Sequence, residues 1–441
     1  MTEELLGESA PTQPAARHGA GMLAVAAGLG VFGLATYGYL GFAGQGLGPV
    51  AFAPLSVMWT LLNALGIGVF LPFEQELGRV TAMREARGEG NRAYARRVVV
   101  VALGLLGLLA VVALVTGPLT SERLFAGHGE LVVMFVLALA GMAASYVVRG
   151  LLSGRGRFGR YGAQLATDGV LRVILSGALF ALGVRSITLY ALVLLVTPVL
   201  AVAATAGRRH ELTRPGGPEV TGRAVARAVS TLLGASILSQ VLANAGPVIV
   251  QLLARADEAD VSGQFLAALV VARVPLFLFA AVQAVFLPGL ASLVSARAVA
   301  QFRRRVEVVA IGTVAIGAGG TLVVWLFGPR LVPLLFGPKF SIDRDVITLI
   351  AVSGALFMLA QVAAQALLAL RADRVVVLGW GAGIVALALT ATVPGGLATR
   401  AAWSLVAGSG AAVALLGAGL VVRFIRWRSG SDVAEGSRSD A

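Results

Sequence analysis

Three charged residues sit inside long apolar stretches, where a charge is expensive and usually functional. Asp168 and Arg172 are four apart in the stretch from about 163 to 183, and Arg273 lies in the stretch from about 263 to 288, two residues before Pro275. A spacing of four puts Asp168 and Arg172 on one helical face, within reach of each other. With a rise of about 1.5 Å per residue, Arg172 lies about 14 Å from the end near Ala163, close to a bilayer midplane. Arg273 has no acid in its own stretch and is therefore the stronger candidate for an anionic ligand. Asp168 and Arg172 either bind a ligand or neutralise each other and fix packing. Uncharged polar residues recur at the same spacing: Gln240 with Asn244, and Gln361 with Gln365. With Asn63, Gln251, Gln264 and Gln283 they suggest either a wetted cavity or hydrogen bonds between helices.

Other chemistry is excluded. Cysteine is absent, and His18, His128 and His210 are scattered, so no thiolate site, metal centre or catalytic triad is expected. Gly154 to Gly159 fits GxGxxG, but no strand precedes it, and a basic loop is the better reading. No phosphate-binding GKS or GKT loop occurs. The expectation is a protein that is not an enzyme and needs no cofactor.

The elements holding these residues follow from composition. The chain is 441 residues long, 58% hydrophobic and only 13% charged, with mean hydropathy +0.87. Soluble domains carry about 25% charge. Apolar runs of about 18 residues or more recur, each sufficient for a transmembrane helix. Barrel strands would alternate polar and apolar residues instead. The expected class is an all-α polytopic membrane protein with twelve transmembrane helices in two pseudo-symmetric six-helix lobes. The spans fall at about 21–42, 50–73, 98–117, 130–149, 163–183, 186–206, 229–253, 263–288, 307–328, 346–370, 375–393 and 401–424.

The formal charge of +13 resides mainly in loops after the even-numbered spans. The positive-inside bias accounts for that without a nucleic acid, and it places both termini in the cytoplasm of a cell whose plasma membrane holds the protein. At the inner end of the second span, Val69-Phe70-Leu71-Pro72 leads into Glu74, Glu76, Arg79 and Arg84, an expected entrance where lipid headgroups are first met. The same four letters recur at Val285 to Pro288, 216 residues on, and Gly150-Leu151-Leu152 resembles Ala366-Leu367-Leu368 at the same offset. The chain therefore divides into a tail (1–20), a first lobe (21–206), a linker (207–228) marked by Pro215-Gly216-Gly217-Pro218, a second lobe (229–424) and a tail (425–441). Two copies with six spans each share one orientation, and sites in such proteins lie between the halves near the midplane.

Two six-span halves, the Val69–Arg79 signature and basic loops after spans 2, 4 and 8 resemble the polysaccharide-export and O-antigen flippase branch of the multidrug/oligosaccharidyl-lipid/polysaccharide (MOP) exporter superfamily, a relative of the lipid II flippases. The resemblance implies flipping of an undecaprenyl-pyrophosphate-linked oligosaccharide by alternating access. It implies a cavity in which Arg172 and Arg273 meet the pyrophosphate, lined by Asp168, Gln240, Asn244, Gln361 and Gln365. It also implies partners in glycan synthesis, glycosyltransferases or a polymerase, and contact with membrane lipids. The first span carries no charge, whereas lipid II flippases are expected to hold an arginine and aspartate group there, so another lipid-linked glycan fits better. Alternatives are a cation-coupled multidrug antiporter of the same fold and a non-transporting scaffold for glycan synthesis.

Overall fold

The computed structural model describes residues 13–207, 209–276, 279, 286, 290 and 292–430. Gln283 and most of the second Val-Phe-Leu-Pro lie outside them. The described elements are helical. The first, α1 (Gln13–Ala86), contains both of the first two expected spans, joined at Gly48 with φ 75° and ψ 167°. Only glycine adopts that conformation cheaply, and Pro49 follows it. The arms fold back on one another: Val25 of the first and Gly78 of the second wall the same cavity.

After α1 come α2 (Arg92–Val115), the short α3 (Gly117–Leu124), α4 (Glu130–Gly154), α5 (Phe158–Ala181) and α6 (Ile187–Thr205). A one-turn α7 (Arg209–Leu212) precedes α8 (Gly222–Leu253) and α9 (Val261–Ala272). The remaining helices are α10 (Val299–Phe336), α11 (Arg344–Ala369), α12 (Asp373–Ala391) and α13 (Leu397–Ser429). Ten helices among the described residues are long and apolar enough to cross a membrane. α1 holds two spans, and α9 occupies the first part of the expected eighth. The architecture is thus the twelve-helix, two-lobe arrangement.

Hydropathy marks where lipid begins, whereas caps mark where a helix ends. The ninth span, expected at 307–328, accordingly extends to Val299 and Phe336 and stops at Gly337, whose φ is 100°. α2 and α10 present Leu103, Leu108, Val111, Ile311, Leu322 and Phe327 outward, as faces solvated by lipid tails would.

In the first lobe α1 packs on α4 and α5. Gly28 lies against the Gly162 backbone, and a Cβ there would collide with it. The glycines of the first span thus serve close helix contact here. The lobes meet through α1. Gly68 rests on Ile237 and Gln240 of α8, Phe52 packs on Phe336 and Phe340, and Gln45 Nε2 donates to the Leu335 carbonyl at 2.7 Å. Contacts at Gln45 and Phe52 join the lobes beside the Gly48 bend, at the other end of the second arm of α1 from Arg79.

The chain between the lobes is fastened to the first lobe. Arg214 N donates to Asn91 Oδ1 at 2.9 Å and Arg92 N to the Arg214 carbonyl at 3.0 Å. Arg84, buried, donates to the carbonyls of Gly90 and Pro218, each at 3.1 Å. Glu211 takes hydrogen bonds from Arg160 and Arg157, which hold its carboxyl below the usual range. Replacing Arg84 with Ala strands two carbonyls. Hydrogen bonds to charged groups contribute about 1.5–3 kcal/mol each, so thermal unfolding in detergent should show a clear fall in Tm. Arg79 has an exposed side chain, but its replacement by Ala leaves the buried Glu76 carboxylate with the Tyr94 hydroxyl in place of two guanidinium donors, so it should lower Tm as well.

Candidate functional site

Pro275 has no backbone N–H to continue the ladder, and a helix breaks at such a point. α9 accordingly ends at Ala272 with Arg273 as its C-cap. Cations are favoured at a helix C-terminus. From this break the Arg273 guanidinium reaches Asn244 Oδ1 of α8 at 3.3 Å. Asn244 in turn donates to Gln240 Oε1 at 3.2 Å and to the Gln240 carbonyl at 2.9 Å. Tyr37 of the first lobe lies within electrostatic reach of Arg273. Gln240 also meets Gly68 of α1, so the cluster stands where the two lobes face each other. Among the described residues no carboxylate pairs with Arg273. Its hydrogen-bond acceptor is a neutral amide.

Asp168 and Arg172 form a different arrangement. Arg172 Nε donates to Asp168 Oδ1 at 2.8 Å and Nη2 to Oδ2 at 3.0 Å. Both residues are buried. The same Nε reaches Thr197 Oγ1 of α6 at 3.3 Å, and the guanidinium lies 4.8 Å from the Phe32 ring centroid. Gly169, the neighbour of Asp168, packs on Phe32 and Ala35. Phe32 and Ala35 thus occupy the α1 face turned to Arg172. Tyr37, by its spacing from Phe32 and Ala35, stands on the opposite side of α1 and is within electrostatic reach of Arg273. Arg172 belongs to the interior of the first lobe and Arg273 to the contact between the lobes.

Gln361 and Gln365 are half-buried on α11, and Gln365 Oε1 has no hydrogen-bond partner among the described residues. Asn63 donates to the Trp59 carbonyl of its own helix. Gln264 pairs with Asp260 at 2.6 Å near the start of α9, away from Arg273.

The four entrance residues prove to be mostly internal. Glu74, Glu76 and Arg84 are buried. Glu74 accepts from Arg149 Nε at 2.8 Å and from the Tyr161 hydroxyl at 2.6 Å. The Arg149 guanidinium lies 4.1 Å from the Tyr146 ring centroid. Glu76 accepts from Arg79 at 2.8 and 2.9 Å and from the Tyr94 hydroxyl at 2.9 Å. The acids after Pro72 thereby tie the inner end of α1 to α2, α4 and α5, and Arg79 alone of the four projects outward. Arg149 escaped the sequence reading. Its signal would have been a buried carboxylate at one span end requiring a cation at another.

No family model matches the chain. Two uncharacterised proteins of Mycobacterium tuberculosis are 28% identical over 432 residues, covering 94% of this chain and of each relative. A Mycobacterium bovis protein, also uncharacterised, is 24% identical over 387 residues, 86% of each chain. Among solved structures, an inward-facing multidrug-resistance MATE transporter of the MOP superfamily superposes with TM-score 0.72 at 15% identity, over 91% of this chain and 96% of that one. The chain shares the fold of that structure. An outward-facing MATE structure gives TM-score 0.64 at 15% identity, over 94% and 96% of the two chains. A MOP superfamily transporter from Pyrococcus furiosus, described as having a binding pocket of reverse polarity, gives 0.66 at 16%, over 93% and 96%. Within this fold, Arg273 and its amide partners hold the interlobe position and the Asp168–Arg172 pair the interior of one lobe.

Proposed function

We propose that this protein is an alternating-access membrane transporter that moves a lipid-linked oligosaccharide, carried on a pyrophosphate such as undecaprenyl pyrophosphate, across the plasma membrane. The observation that supports this most is Arg273: a cation where the lobes meet, without a carboxylate partner among the described residues, hydrogen-bonded to Asn244, which in turn holds Gln240, and within electrostatic reach of Tyr37. In a low-dielectric cleft such a group favours a phosphate, and the amides offer hydrogen bonds to sugar hydroxyls. Gln361 and Gln365 extend that amide lining in this reading. The interlobe contacts at Gln45 and Phe52 agree with an inward-facing state, if the arginine-rich loops are cytoplasmic.

The competing reading, a cation-coupled multidrug antiporter, draws support from the MATE likeness. It requires an intramembrane carboxylate free to bind a cation, and Asp168 is occupied by both arms of Arg172. Reconstituted vesicles separate the two. A fluorescent polyprenyl-pyrophosphate oligosaccharide should cross in the presence of the protein, and an imposed Na⁺ or proton gradient should not drive efflux of cationic dyes. Dye efflux without glycan-lipid movement would overturn the proposal.

The membrane arrangement has its own test, made simple by the absence of cysteine. Single cysteines at Arg87, Glu219 and Arg371 should resist an impermeant thiol reagent in intact cells, and cysteines at Arg185 and Gly396 should react. External labelling at Glu219 would put the interlobe segment on the wrong side.

A further inference from the structure

Between α10 and α11, on the outside of the second lobe, runs a groove of about 480 Å³. Val314, Gly317, Leu322, Ala355 and Leu359 line it, with Trp325 and Thr348 towards one end. It lies on the surface turned away from the cleft: Val314 and Leu322 are half or more exposed. The wall beneath it is thin. Gly317 packs directly on Ala355, while the cleft-ward neighbours Gly320 and Gly354 receive Pro275 and Leu276, which follow Arg273.

A groove with this lining, in a helix face of a membrane protein, is filled by hydrocarbon. The Trp325 end adds an instruction about which hydrocarbon. The Arg344 guanidinium sits 5.3 Å from the Trp325 ring centroid, a cation–π placement. Trp325 lies near the end of the apolar stretch of α10 and Arg344 at the first residue of α11. That is the depth at which tryptophan and cationic side chains meet headgroups. Among the described residues no ion pair engages Arg344, although Asp343 and Asp345 flank it in sequence. Arg330, in the last turns of α10, and Lys339, on the connection to α11, are exposed.

We propose that this groove holds an anionic membrane phospholipid, its acyl chain between α10 and α11 and its phosphate on Arg344 beside Trp325. The site is separate from the cleft and does not depend on which substrate the cleft takes. A neutral zwitterionic lipid fills the same groove but gains less from Arg344, so the site discriminates by headgroup charge.

The test uses Trp325 as its reporter. The full chain is reconstituted in phosphatidylcholine vesicles containing a fixed fraction of dibrominated-acyl phosphatidylglycerol, or the same fraction of phosphatidylcholine with identical brominated chains. The Trp325 signal is the fluorescence difference between the chain and its Trp325→Phe variant. The proposal expects an apparent affinity about fivefold greater for the brominated phosphatidylglycerol, the equivalent of about 1 kcal/mol per basic group at an anionic surface. Arg344→Gln, at an exposed position, should remove that preference and leave residual quenching equal for both lipids. Equal quenching in the unaltered chain would mean ordinary annular lipid only and would overturn the proposal, as would a preference surviving Arg344→Gln.

Discussion

Replacing Arg172 with Ala is expected to destabilise the protein severely, and replacing Asp168 with Asn in the same chain is expected to restore it. The single change leaves the Asp168 carboxylate buried, deprived of both donors that Arg172 supplies at 2.8 and 3.0 Å. An uncompensated buried charge of that kind costs about 3–5 kcal/mol, whereas removing both members of a buried pair is often close to neutral. Tm in detergent and the yield of membrane-inserted protein read the effect. The pair lies on the far side of α1 from Arg273, so the double variant should transport as well as it folds. A well-folded double variant without transport would return Arg172 to the binding site, where the sequence resemblance had put it.

That resemblance foresaw both arginines in one cavity because sequence depth alone cannot say which side of a helix a residue faces. Arg172 lies in the middle of α5, whereas Arg273 caps the C-terminal end of α9. What separates them is α1, and its orientation follows from Gly28 and Gly162 packing backbone to backbone, a contact between residues 134 apart. The Asp168–Arg172 pairing itself was legible, being a local spacing of four. So was the Gln240–Asn244 pair, and for the same reason.

The interlobe segment shows the opposite case. Pro215-Gly216-Gly217-Pro218 reads as a loose connection, yet Arg92 N donates to the Arg214 carbonyl just before it, Arg214 N donates to the Asn91 side chain, and Arg84 donates to the Pro218 carbonyl. Carbonyl acceptors carry no residue identity, so no pattern of side chains announces them. The acids after Pro72 looked like an open mouth because they follow an apolar run and precede arginines. Their partners, Arg149, Tyr161 and Tyr94, come from other helices. The number and order of the helices were plain from hydropathy, since lipid imposes that pattern directly.

The second large effect is expected at Arg273. Charge, rather than shape, is what its position in the cleft offers. Arg273→Ala should abolish movement of the glycan lipid without lowering the amount of inserted protein, because its protein partner, Asn244, is neutral and can be hydrated when left alone. Arg273→Lys should keep part of the activity, as an ammonium still binds phosphate as a point charge but lacks the planar fork. An effect that merely reflected packing at the α9 break would treat Lys and Ala alike.

Binding puts this account to its most direct test. Purified protein in detergent is titrated with undecaprenyl pyrophosphate, with undecaprenol as the uncharged control. The account predicts saturable binding of the pyrophosphate, weakened roughly tenfold to a hundredfold in Arg273→Ala, as loss of a charged hydrogen bond of about 1.5–3 kcal/mol requires. Arg273→Lys should fall between, and undecaprenol should bind all three proteins equally. Undiminished pyrophosphate binding by a folded Arg273→Ala protein would contradict it.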